Sequence, residues 1–181
     1  MKRALIDTSS YEEMLVSFNP EELRLLKKRR AYAVEGFVVI RKELRDVPKS
    51  KLLDVGVGKK AKLRLALLAL YDSLTSGRSY ALDEAMVGTA EEYFAAYARE
   101  GGGKRFEQVE NDFEIVACAS YKQVDIVVSE DVKTMLCREA LRAYEEVNSK
   151  KSLHLPKFKK IADLKIELQL VLRKSGGVGL D

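Results

Sequence analysis

A chain of 181 residues with 46% hydrophobic and 33% charged side chains is the size of one ordinary domain and can bury a proper core, which excludes a disordered chain. Its formal net charge of +4 is too small to mark it as a polyanion binder by total charge alone, so any such reading must come from where the charges lie. Two cysteines, Cys118 and Cys137, have no metal spacing and cannot build a disulfide framework, and both are expected to be small buried hydrophobes.

Arg3 to Asp7 is predicted as a first strand and Ser10 to Phe18 as a helix. Pro20-Glu21-Glu22 then opens a second helix behind the cap Asn19, with acids in its first turn. Tyr32 to Val34 reads as a second strand. Val38 to Val47 reads as a helix stopped by Pro48, with Val39, Ile40, Glu43, Leu44 and Val47 on one stripe, so Glu43 faces inward. Lys60 to Ser76 carries Leu63, Leu67, Leu70 and Leu74 at helical spacing, with Gly77 just past its end. A helix over Thr89 to Glu100 is stopped by three glycines. Glu107 to Lys122 is predicted helical, with Asp112 on the face of Ile115, Val116 and Ala119. Asp125 to Ser129 is a buried strand, Val132 to Asn148 a helix, Leu153 to Leu155 a short strand and Phe158 to Leu172 a last helix. This alternation predicts an α/β fold with a central, mainly parallel sheet in one domain over 1–174, followed by a disordered tail over 175–181.

Four acids recur against apolar residues. Asp7 closes Ala4-Leu5-Ile6, Glu43 sits on the inward stripe, Asp112 opens Asp112-Phe113-Glu114-Ile115-Val116, and Asp131 follows Ile126-Val127-Val128-Ser129. Carboxylates gathered in a partly dry site repel each other and resist ionisation, so a set that converges needs a neutralising cation. Hydroxyl neighbours, with no histidine or thiolate cluster, suit Mg²⁺ or Mn²⁺ rather than Zn²⁺. In a parallel sheet, sites form beyond the carboxyl ends of strands, where Asp7 and Asp131 fall. Taken singly, each acid is equally at home as a cap, a turn residue or a surface ion-pair partner.

The segments Ala4-Leu5-Ile6-Asp7-Thr8-Ser9, Ile40-Arg41-Lys42-Glu43-Leu44-Arg45, Asn111-Asp112-Phe113-Glu114-Ile115-Val116-Ala117-Cys118-Ala119 and Asp125-Ile126-Val127-Val128-Ser129-Glu130-Asp131 resemble, in order, the successive motifs of PIN domains. The resemblance covers about Lys2 to Leu155 and is nearest to archaeal and bacterial members. It implies a PIN-like three-layer α/β/α sandwich and a metal-dependent ribonuclease, as in VapC-type toxins and nucleases of RNA processing. It also implies that Asp7, Glu43 and Asp112 are the three core acids and Asp131 the fourth, all four catalytic and metal-binding. Ser9, Ser129 and Glu130 then line the site, and the Glu130-Asp131 doublet leaves open which of the two is the fourth acid, since neighbours on an extended chain point to opposite sides; Asp131 is expected to face the cleft and Glu130 to lie at its margin or outside. The helical segment from Lys60 to Gly103 and the long C-terminal part make the chain larger than the smallest toxin-like members.

Cations close in sequence to these acids, Arg41, Lys42, Arg45, Lys122 and Lys133, are candidates to hold an RNA backbone, and each is equally readable as a solvent-facing helix charge. Basic runs at Lys27-Lys28-Arg29-Arg30, Lys59-Lys60 and Lys157-Phe158-Lys159-Lys160 are open to the same two readings. Gly56-Val57-Gly58-Lys59-Lys60 lacks phosphate-loop spacing, and His154 has no nucleophile partner. Tyr93, Phe94 and Tyr97 at helical spacing read as core or a dimer face. Charges interrupt every apolar run, so no membrane span or signal peptide is expected and the protein is placed in the cytoplasm. The expected partner is RNA, with a homodimer and an antitoxin or RNA-processing partner left open. Two rivals are a nuclease-dead RNA-binding or assembly subunit of the same fold and a receiver-like phosphotransfer domain.

Overall fold

Ala4, Leu5 and Ile6 are fully buried and form the last three residues of strand β1 (Lys2–Ile6), which lies at the centre of a five-stranded sheet. The computed structural model describes residues 1–29, 31–54 and 60–176; Arg30 of the first basic run and 56–59 of the glycine-lysine segment lie outside them. On one side β1 pairs with β2 (Tyr32–Phe37), and β2 pairs with the two-residue β5 (Ser79–Tyr80). On the other side it pairs with β6 (Ile126–Val128), and β6 pairs with β7 (Lys157–Lys159). All four pairings are parallel, and the three central strands β2, β1 and β6 are mainly buried, as is usual for a parallel sheet covered by helices. Counted along the chain, the strands of this sheet run third, second, first, fourth, fifth. A receiver runs second, first, third, fourth, fifth, so that rival does not fit.

Two groups of helices flank the sheet in the expected α/β/α arrangement. Helices α1 (Thr8–Ser17), α2 (Pro20–Lys27), α3 (Val38–Asp46), α4 (Leu63–Thr75) and α8 (Ile161–Gly176) pack on one another. In the other group α5 (Glu84–Arg99) packs on α6 (Glu110–Tyr121) and α7 (Arg138–Lys151). Asn19 and Glu22 form a reciprocal capping box at the start of α2, as its sequence predicts. Tyr93 and Tyr97 lie in the core, where Tyr93, Phe113 and Tyr144 meet edge to face.

Several boundaries differ from the sequence reading. Lys60–Lys62 is not helical but forms strand β4, antiparallel to β3 (Leu52–Asp54), and α4 starts at Leu63. Helix α5 begins five residues before Thr89 because the Asp83 carboxylate caps it by accepting the Met86 N–H. Residues 132–137 are turn rather than helix, since the Asp131 side chain takes the Lys133 and Thr134 N–H groups. Cys137 is therefore only half-buried, at the cap of α7, whereas Cys118 is buried as expected. The last strand lies at Lys157–Lys159, not Leu153–Leu155; Pro156 has no N–H to give a ladder, and pairing begins with Lys157 N–H to Asp125. Helix α8 starts at Ile161 rather than Phe158 and reaches Gly176, two residues into the tail expected to be disordered; 177–181 lie outside the described residues.

Candidate active site

The sheet order reverses between β1 and β6, and the crevice beyond their carboxyl ends is where ligands bind in open α/β sheets. Asp7 follows β1 there, its N–H bonded to the carbonyl of Val128, the last residue of β6. Its side chain caps α1. Oδ1 accepts the Thr8 N–H at 2.7 Å, and Oδ2 accepts the hydroxyls of Ser9 at 2.6 Å and Ser129 at 2.8 Å. Burial nonetheless raises Asp7 above the usual carboxylate range, against those hydrogen bonds.

The hydroxyls extend the network sideways. Ser129 Oγ accepts the Asp131 N–H at 3.0 Å and Ser9 Oγ accepts the Glu130 N–H at 3.1 Å. Thr8, quoted in the first motif but given no role, donates its hydroxyl to Glu43 Oε2 at 2.5 Å, and Asn111 donates its amide to Glu43 Oε1 at 2.7 Å. Glu43 on α3 is thus tied to both the Asp7 loop and the start of α6. Burial raises it, and the charges of Asp7 and Asp46 push the same way.

Asp112, in the first turn of α6, is the most perturbed of the four. Burial pushes it up to about 8, and the charges of Asp7, Asp131 and Glu43 add to the rise while the Thr134 hydroxyl opposes it. Thr134 Oγ1 lies between Asp112 Oδ2 and Asp131 Oδ2, the second contact at 2.7 Å. One hydroxyl proton cannot serve both carboxylates, and a proton on Asp112, which its raised pKa favours, would complete the bridge. Thr134 has no motif to announce it; only its spacing of three from Asp131, fitting a capping turn, hints at the role. Asp131 behaves oppositely. Burial alone would raise it, but the Thr134 hydroxyl, the Thr134 and Lys133 N–H groups and the Lys133 charge hold it below the usual range. Glu130 points away, its Oε1 accepting the Ile161 N–H at the start of α8.

The structure therefore gathers Asp7, Glu43, Asp112 and Asp131 with Ser9 and Ser129 and leaves Glu130 outside. A chain of the crystal structure of DNA-bound VapBC from Salmonella typhimurium has a TM-score of 0.52 to this chain at 13% identity, covering 88% of this chain and 98% of that chain. The likeness is one of fold. It agrees with the α/β/α sandwich expected from the sequence. No protein-family model and no curated protein sequence matches the chain.

The candidate cations divide. Arg41 is committed to Asp72, with both contacts at 3.1 Å. Lys122 ends α6, about 15 Å of helix rise from Asp112, and lies over the Tyr80 ring near Asp83 at the opposite end of the sheet. Closeness in sequence misled there, because a helix spans the whole layer between the two residues. Lys133 adjoins Asp131, and Lys42 and Arg45 line a cavity beside Asn111. His154 is structural, its Nε2 on the Val124 carbonyl.

None of the four acids forms an ion pair among the described residues. Every partner they have is a hydroxyl, an amide or a backbone N–H. As placed, no three histidine, cysteine, aspartate or glutamate side chains among the described residues stand close enough to hold one ion. The donor set nevertheless suits a hard divalent cation: four carboxylates, hydroxyl oxygens, and a half-buried Asp112 whose excess proton a cation would displace.

Proposed function

We propose that the protein is a PIN-like, metal-dependent endoribonuclease that hydrolyses RNA phosphodiester bonds at the Asp7, Glu43, Asp112 and Asp131 cluster. The observation that carries this reading is a set of four acids at the topological switch point with no cation paired to any of them among the described residues. Asp7, Asp112 and Asp131 would hold Mg²⁺ or Mn²⁺, with Glu43 directly or through water. When bound, such an ion lowers the pKa of its water and stabilises charge on the phosphate.

The chain's own groups prepare that site. Ser9 and Ser129 fix the direction of the Asp7 carboxylate through Oδ2, and Thr8 and Asn111 fix Glu43 from two elements. Thr134 orients Asp112 and Asp131 together. A cation held there would favour the ionised form of Asp112, whose carboxyl burial otherwise keeps protonated above the usual range. Lys133, Lys42 and Arg45 are the cations placed to hold phosphates of a single-stranded or looped RNA. VapBC is bound to DNA in the crystal structure it comes from. For this chain a homodimer, or an antitoxin or RNA-processing partner in the cytoplasm, belongs to the same proposal. No helix among the described residues is long and apolar enough to cross a membrane.

A second reading, a subunit that keeps the fold without cleaving, is favoured by the capping and turn roles that Asp7 and Asp131 already fill. Cleavage of total cellular RNA with added Mn²⁺ separates the two. The nuclease reading expects fragments from the wild type and none from Asp112→Asn; an intact RNA profile with both supports the subunit.

A further inference from the structure

Beside the acid cluster, between the start of α3 and the first half of α6, lies a cavity of about 490 Å³, within the range of small-ligand sites. Its wall includes Glu114, only 6% exposed, which has no hydrogen bond or ion pair to any described residue. The Glu114 carboxylate oxygens are not sealed from water and feel the charge of Lys42, and the cavity that Glu114 lines is a path by which a further donor reaches them. Val38, Val39 and Leu82 give an apolar floor, and Val38 remains 41% exposed. Lys42 and Arg45 line the same space.

We propose that this cavity is a base pocket that holds guanine in the nucleotide adjoining the phosphate cleaved at the acid cluster. The inference rests on the nuclease reading for its place in the reaction and on the cavity alone for its chemistry. A flat base covers the apolar floor, and the two cations suit its phosphate. Among the four RNA bases only guanine sets two adjacent donors, N1–H and the N2 amino group, against the two oxygens of one carboxylate. Cytosine brings one donor group, while adenine and uracil place an acceptor beside their donor. The lining carries two cations, Lys42 and Arg45, and two acids, Glu110 and Glu114, so it matches a ligand with a donor edge and an anionic end, as a nucleotide has, better than a basic peptide. Asn111 belongs both to the cavity wall and to the cluster, its amide on Glu43, so the base sits one side chain away from the acids.

Calorimetric titration of the whole protein with GMP, AMP, CMP and UMP, without divalent ions, tests this directly. GMP should bind at least about tenfold more tightly than the other three, as a bidentate base contact allows. Glu114→Gln should remove that preference and leave a residual affinity shared by all four, while Lys42→Ala with Arg45→Ala should weaken all four alike. If Glu114→Gln melts below the assay temperature, Val38→Asn serves instead, at an exposed helix start, and should weaken every nucleotide. Equal binding of the four by the wild type, a preference that survives Glu114→Gln, or GMP affinity unchanged by Val38→Asn overturns the proposal. Guanine preference without RNA cleavage removes the nuclease reading and keeps the pocket; Mn²⁺-dependent cleavage without base preference removes the pocket alone.

Discussion

The two ends of the central sheet hold their acids in opposite ways. At the amino end, Arg3 stands 3.5 Å from Glu35, donates to the Tyr80 hydroxyl and the Lys122 carbonyl, and gives its backbone N–H to Asp125 at 2.6 Å. Lys122 and Asp83 continue the alternation of signs. At the carboxyl end, Asp7, Glu43, Asp112 and Asp131 have hydroxyls and N–H groups where the other end has a guanidinium and an ammonium. A hydroxyl orients a carboxylate but carries no countercharge, so burial first, and the unrelieved repulsion of the other three acids after it, favours the protonated form of Asp112. The amino end is electrostatically complete, and the carboxyl end asks for a cation.

The largest way to sharpen this contrast is to remove one acid from the unpaired end. Asp7→Asn or Asp112→Asn should reduce Mn²⁺-dependent RNA cleavage by more than the roughly 10–100-fold that loss of a supporting partner costs. Ser129→Ala and Thr134→Ala, which take away only the orienting hydroxyls, should fall within that smaller range. Single-turnover rates on one RNA rank the four variants, and a serine or threonine variant slower than both aspartate variants breaks the scheme.

Next in size is the doublet. Asp131→Asn should cost much more activity than Glu130→Gln, because Asp131 shares Thr134 with Asp112 whereas Glu130 is spent on the start of α8, where a glutamine oxygen can still accept. The opposite order in a paired rate measurement shifts the motif by one residue.

Stability gives a third contrast, now without metal. The folded chain favours a proton on Asp112 up to about pH 8, whereas the unfolded chain releases it near the ordinary aspartate value of 3.8. Across that window the folded state binds more protons, so stability falls as pH rises. Asp112→Asn should flatten this fall and raise the melting temperature near pH 8, by roughly 2–4 °C for each kcal/mol of repulsion relieved. Asp131, held below its ordinary range, has the other sign, and its contribution is lost only in more acidic solution. Melting curves from pH 4 to pH 9 that are parallel for wild type and Asp112→Asn contradict the assignment.

The smallest effect belongs to the paired end. Glu35→Gln should destabilise the metal-free protein by about 1 kcal/mol, the upper range for a partly exposed ion pair. What matters is the sign, opposite to that of Asp112→Asn. A stabilising Glu35→Gln would erase the distinction between the two ends.

What the sequence made legible follows the same division. Asp7 and Asp131 could be placed because buried strands with known ends carry them, and Glu43 because the period of its helix is unambiguous. Thr134 could not, since Asp131 converts an apparently helical stretch into a turn by a side-chain bond that periodicity does not register. Strand β5 has two residues, and β4 hides in front of a strong leucine pattern, so neither leaves a signal of its own. Glu114 was quoted inside a motif yet passed over, because a glutamate on a helix is ordinarily exposed and only the packing of α3 against α6 reveals that most of this one is covered.

The decisive property of the carboxyl end is whether its four acids form one cation site. Differential scanning calorimetry of the wild type and the Asp7→Asn, Asp112→Asn double variant, each with and without Mn²⁺, reads this without needing the true RNA. Binding confined to the folded state should stabilise the wild type by about 2.7 kcal/mol when free ion reaches a hundred times its dissociation constant, and should leave the double variant unmoved. Without metal the double variant should be the more stable of the two. A wild type indifferent to millimolar Mn²⁺ and Mg²⁺, with a double variant no more stable than it in metal-free buffer, would show that the acids at the carboxyl end do not form a single cation site.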